Sequence, residues 1–166
     1  MATYTPAQND SAQPFDTRAG YQKAFSTVIS QARHTLILCE NDFAESDLGC
    51  LSNQKALWAF FSQSSPGRMQ LLVAKADFLA QQCPRFIQLL DRFGHLIELR
   101  VIPEHLKHWQ KGWLIADQLN YLIRHHYDWY RGELGSDAKT TALLKQQFAT
   151  LWEQSTSTSA LQRLDL

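Results

Sequence analysis

No apolar run in this chain approaches the ~20 residues a helix needs to cross a bilayer. The N-terminus, MATYTPAQNDSAQPFD, has neither a basic nor an apolar leader segment, so no signal peptide is read there. Together these give the expectation of a soluble, cytoplasmic protein. Only three cysteines occur, Cys39, Cys50 and Cys83, with no CxxC spacing. That excludes a disulfide framework and a zinc ribbon and points to reduced thiols. GxGxxG, P-loop, GxSxG and HExxH patterns are all absent, so no nucleotide-binding glycine loop, serine-hydrolase elbow or zincin helix is expected. There is no excess charge either: 16 basic and 16 acidic residues cancel. A dedicated duplex-DNA binder normally shows a basic surplus. Neutrality argues against that class and leaves a local basic groove open.

What is present fits one globular domain: 166 residues, 45% of them hydrophobic and 19% charged, enough to bury a sizeable core. Residues 1–14 read as a flexible arm, 15–155 as the domain and 156–166, which includes a Ser/Thr run, as a flexible tail. Tyr21, Ala24, Phe25, Val28, Ile29 and Ala32 recur at three and four, the pattern of an amphipathic helix with Asp16 or Thr17 at its N-cap. Thr35 to Cys39 is a short apolar run that reads as a strand buried on both faces. The alternation repeats. A helix from about Ser52 to Gln63 precedes a strand from Met69 to Ala74. A helix opened by Pro84, with Gly94 at its C′ position, precedes a strand from Leu96 to Ile102. Crossovers of this length suit parallel pairing. The rhythm then changes. Trp113–Ala116 and Tyr121–Ile123, joined by Asp117 to Asn120, read as an antiparallel hairpin, and a last helix capped by Asp137 follows. The expected class is α/β: a mixed sheet of about five strands, three largely parallel plus the C-terminal hairpin, flanked by helices.

Candidate chemistry concentrates in His105 to Tyr130, HLKHWQKGWLIADQLNYLIRHHYDWY, which holds four of the six histidines and three of the five tryptophans. His105, His108, His125 and His126, with Glu40 or Asp42, include metal-ligand types, but their spacing matches no compact zinc motif, and no metal or other cofactor is assigned. Polar surface histidines are the simpler reading. Glu40, Asn41 and Asp42 follow the first buried strand, where open parallel sheets bind ligands, and the alternative is a solvated loop with Asp42 in a turn. The aromatics of the last third would stack bases or sugars if exposed and are core packing if not.

Two phrases carry a resemblance. Lys111-Gly112-Trp113-Leu114-Ile115-Ala116-Asp117 looks like the end of the HxKxxxxD motif of the phospholipase D superfamily. Phe148-Ala149-Thr150-Leu151-Trp152-Glu153-Gln154-Ser155 resembles that superfamily's F-xx-LW-xx-S ending. The element order over roughly 15–155 matches one half of that fold, a single phospholipase D-like half-domain. The chain also resembles a group of uncharacterised bacterial proteins in which a degenerate domain of this kind stands alone or follows a GNAT-type acetyltransferase domain. The acetyl-CoA loop of the latter is missing here. In the family the motif histidine attacks phosphorus and the lysine binds phosphate. Aligned on Asp117, those positions hold Gln110 and Gly112, and the GSxN-like turn falls on Arg124 to Tyr127. Glutamine forms no phosphohistidine and glycine supplies no charge.

The resemblance therefore implies a non-catalytic binding or accessory domain. Its cleft is expected to draw on Glu40, Asp42, His105, His108, Lys111, Asp117 and His125. The ligand would be a phosphate-bearing molecule, a nucleic-acid end or a protein partner. Active relatives need two motif copies, which makes a homodimer part of the expectation. The alternative is a divergent phosphodiesterase or nuclease acting as a dimer through His108 and Lys111.

Overall fold

The computed structural model describes residues 12–109 and 111–157. Gln13–Phe15 forms a short strand, β1, and Thr17 then caps α1 (Arg18–Gln31). The Thr17 hydroxyl accepts from Gly20 N at 3.0 Å, satisfying one of the amides that a helix start leaves unpaired. Tyr21, Ala24, Phe25, Val28 and Ile29 form the buried stripe that the periodicity predicts. The chain next enters β2 (Thr35–Glu40), α2 (Leu51–Phe61) and β3 (Arg68–Val73). After α3 (Asp77–Gln82) comes α4 (Pro84–Phe93), with Pro84 in its first turn, and then β4 (Ile97–Val101). Gly94 is not the left-handed C′ residue expected. Its φ of −55° and ψ of −29° are right-handed, and it opens a 3-10 turn instead.

β2, β3 and β4 are parallel. The hairpin of β5 (Gly112–Ala116) and β6 (Asn120–Arg124) adds to the free side of β2, antiparallel to it. Two further strands, β7 (Gly132–Ser136) and β8 (Thr156–Ser157), complete an eight-stranded sheet in the order β1-β7-β6-β5-β2-β3-β4-β8. The α/β class and the parallel-plus-hairpin plan hold, with eight strands in place of about five. The three additional strands carry no period-two signal. β7 reads GELGS, and its glycines admit close neighbours: a Cβ at Gly132 would lie 1.9 Å from Ile123 O. β1 falls at the junction of the expected arm and β8 in the expected tail. The rest of those segments, 1–11 and 158–166, lies outside the described residues.

Strand alternation divides the core. Leu36, Leu38, Met69, Leu71, Leu114 and Leu122 face α1, α2 and α4. Cys39, Leu72, Trp113, Ile115 and Tyr121 face α5 (Ala138–Gln154), which brings Leu144, Phe148 and Leu151 and starts at the Asp137 cap. The phrase at the end of α5 has a physical job. Phe148 stacks on Trp152, the Ser155 hydroxyl donates to Leu151 O, and Arg100 donates to Trp152 O at 2.8 Å while its guanidinium lies 4.4 Å from the Trp152 ring centre.

Asp117 closes the β5–β6 turn with φ 58°, a left-handed conformation that Asp tolerates better than most residues. Its carboxylate accepts from three consecutive amides, Arg33 N at 2.9 Å, His34 N at 2.7 Å and Thr35 N at 3.0 Å. Its own N–H donates to Thr35 O, and Lys145 of α5 donates to Asp117 O. One side chain thus fixes the α1–β2 turn to the hairpin. Asp117→Ala removes a charged acceptor from three amides and should lower stability by about 2–4 kcal/mol, read as a shift of the urea midpoint at unchanged slope.

Candidate functional site

Register decides what can meet. β5 runs antiparallel to β2, pairing Trp113 with Cys39 and Ala116 with Leu36. Gly112 therefore starts beside Glu40, at the carboxyl ends of the parallel strands, and Asp117 lies at the other end of the sheet. Asp117 does not join the expected cleft, and its carboxylate is committed to backbone amides. β4 is separated from β5 by β2 and β3, so the histidine pairs do not converge through neighbouring strands.

Glu40 ends β2 facing α1. Its Oε2 accepts from the Tyr21 hydroxyl at 2.9 Å, and its Oε1 accepts from Asn41 N at 3.0 Å and Arg124 Nη2 at 2.8 Å. The two charged side chains are only 5% and 3% exposed. The Arg124 guanidinium lies 4.9 Å from the Tyr21 ring centre and 5.8 Å from that of Tyr127. Burial pushes the Glu40 carboxyl up, and the Arg124 charge with the Asn41 and Tyr21 hydrogen bonds pulls it back only in part. For Arg124 burial acts downward, but Glu40 and Tyr21 outweigh it and hold the guanidinium charged. Burial, then Cys39 and Glu40, push the Tyr127 hydroxyl up.

This pair takes up the space beside Gly112, the position that counting from Asp117 aligns with the motif lysine. A Cβ built on Gly112 would lie 2.2 Å from Glu40 Oε2 and 2.9 Å from its carboxyl carbon. No side chain fits at 112 while Glu40 keeps its position. Gln110, aligned with the motif histidine, lies outside the described residues.

Of the remaining candidates, Asp42 accepts from Ala44 N and forms a local turn. His105 is exposed in the one-turn segment Glu104–Leu106. His108, Lys111 and His125 are exposed on the loops flanking β5 and β6 at this same sheet end. Among the described residues, no three His, Cys, Asp or Glu side chains are placed to hold a metal ion, and no helix is long and apolar enough to cross a membrane.

The cavity at this end, about 260 Å³, uses a different set: Asn41, Ala74, Lys75, Lys107, His126, Tyr127 and Asp128. Lys75 is the second residue after β3, as Asp42 is after β2, so the strand-end rule applied to every parallel strand would have found it. Arg124 and Tyr21 carried no such signal. Among the described residues five buried atoms lack a hydrogen-bond partner: Arg124 Nε and Nη1, Tyr127 Oη, and, in the core on the α5 side of the sheet, Trp109 Nε1 and Trp113 Nε1. A larger cavity, about 330 Å³, sits at the opposite end between Thr35, Gln70, Glu98 and Lys145, near Asp117 and away from Gly112.

Removing one ion should cost more than removing both. Arg124→Leu leaves a buried carboxylate and should destabilise by about 3–5 kcal/mol, and adding Glu40→Met should recover most of it. A double-mutant cycle by chemical denaturation reads this. The pH dependence has a definite sign. A carboxyl whose folded pKa is raised contributes stability that is present below its ordinary value and lost as pH rises through the folded one. Arg124→Leu deletes the strongest opposing charge, so its stability should fall more steeply than the natural protein's as pH rises above the ordinary carboxyl value of 4.5.

Solved structures share this fold. TrmBL2, an archaeal chromatin protein whose structure shows a novel mode of DNA binding, superposes with a TM-score of 0.67 at 16% identity. The match covers 94% of this chain and 57% of that one, so the chain spans little more than half of TrmBL2. Nuc, a phospholipase D family member from Salmonella typhimurium, gives 0.64 at 12% identity over 89% of this chain and 97% of Nuc. NucT from Helicobacter pylori gives 0.63 at 10% identity over 89% and 98%. Identities this low establish the phospholipase D-like fold and nothing about activity. No curated protein matches the chain in sequence. The family model described as a domain of unknown function, DUF7931, matches residues 17–164, and the chain belongs to that family.

Proposed function

We propose that the chain is a non-catalytic phospholipase D-fold domain that binds a phosphate-bearing ligand at the carboxyl ends of its parallel strands. The observation that carries this reading is the Glu40–Arg124 pair over Gly112. Phosphoryl transfer by this fold needs a nucleophilic imidazole and a cation on the motif strand. Here the lysine position is closed by a carboxylate whose charge is already matched by Arg124. The motif aspartate serves the backbone. Binding capacity survives beside the closed position, where Lys75, Lys107 and His126 border one cavity. A DNA-binding chromatin protein with the same fold supports a binding role for it.

The reading is tested with bis-p-nitrophenyl phosphate and excess chelator. No turnover above buffer is expected, and His108→Ala and Lys111→Ala should leave that result unchanged. Metal-independent release of nitrophenol that disappears in His108→Ala would establish the phosphodiesterase alternative instead.

A further inference from the structure

A second cavity, about 200 Å³, opens beside the first and shares His126 with it. It is lined by His125, His126, Trp129 and Arg131. Trp129 is 64% exposed, the most exposed large apolar side chain among the described residues. Trp109, Trp113 and Trp152 each pack on another aromatic ring, and Trp58 meets Phe93 edge-on. Trp129 makes no such ring contact among the described residues and is largely open to solvent.

Loop geometry holds the two cavities at a fixed spacing. Trp129 N donates to His126 O at 3.1 Å, closing a four-residue turn. The Cα atoms at the ends of such a turn lie within about 7 Å. The His126 ring is oriented as well. Its Nδ1 accepts from Asp128 N at 3.1 Å and lies 3.5 Å from the Asp128 carboxylate. Lys75 makes no ion pair among the described residues, and Lys107 shares its charge with Glu104. Tyr127 forms part of the wall, and Asp128 adds one carboxylate to it. A cavity edged by two lysines and a histidine against that single carboxylate, with an exposed indole one turn away, matches a ligand with a phosphate at one end and a flat ring at the other.

We propose that this edge binds a nucleoside phosphate, with the phosphate between Lys75, Lys107 and His126 and the base stacked on Trp129. The proposal rests on the non-catalytic reading above and narrows its ligand class. The same chemistry is offered by a free nucleotide and by the phosphorylated end of a single strand.

Calorimetric titration of the full chain with adenosine 5′-monophosphate, adenosine, inorganic phosphate and a 5′-phosphorylated single-stranded adenylate oligomer tests it, with phosphorus NMR following ligand integrity. The monophosphate should bind more tightly than adenosine or phosphate alone. Trp129→Ala should weaken it by roughly fivefold or more, the scale of one base–aromatic stack. Lys75→Ala should weaken the monophosphate and reduce its salt dependence, while adenosine binding stays as it was. An oligomer that binds more tightly than the monophosphate assigns the site to a nucleic-acid end, and the reverse order assigns it to a free nucleotide. Absence of binding by every probe at millimolar concentration, or unchanged affinity in Trp129→Ala, overturns the site. Cleavage of a bound probe would refute the non-catalytic reading and leave the site standing; probes that stay intact and unbound refute the site alone.

Discussion

Burying a carboxylate and a guanidinium costs several kcal/mol per ion, and only close geometry with further hydrogen bonds returns it. Glu40 and Arg124 obtain that from three elements: Tyr21 of α1, the Asn41 amide after β2 and the end of β6. Each partner lies on a different segment, so the pair forms only when helix, parallel strand and hairpin are all in register. The surroundings are shaped to it. Glycine at 112 leaves room for the carboxylate, and aromatic rings flank the guanidinium. Structural specificity here is held by charges at the carboxyl ends of the parallel strands.

The two ends of β5 meet different demands. At Asp117 a carboxylate organises three amides and a turn, a role independent of any substrate. At Gly112 the polar content has been redirected inward. The fold can therefore persist unchanged in outline while the strand end above it is remodelled by the loops at 102–111 and 125–131.

Local pattern carried much of the architecture. The three-and-four spacing of Tyr21, Phe25 and Val28, the apolar run before Cys39 and the caps Thr17 and Asp137 each depend on neighbours in sequence, and each was readable. β7 was not, because GELGS is shaped by what packs against it and not by its own alternation. The site divided in the same way. Aligning the motif on Asp117 located the altered strand, since that is a matter of counting. The pairing of Glu40 with Arg124 spans 84 positions and leaves no local trace. His105, His108 and His125 stand out by count and lie exposed, whereas Lys75 lines a cavity through its place after β3.

The two outermost strands bear on how copies of this chain can associate. β1 has three residues, one of them Pro14, which has no amide proton to offer, and β8 has two. Strands this short and interrupted present almost no ladder for a neighbour to extend. Growth of the sheet from one molecule into the next is thereby blunted at both margins. Among the described residues, side-chain surfaces on the helices and loops offer a neighbour more than backbone pairing does.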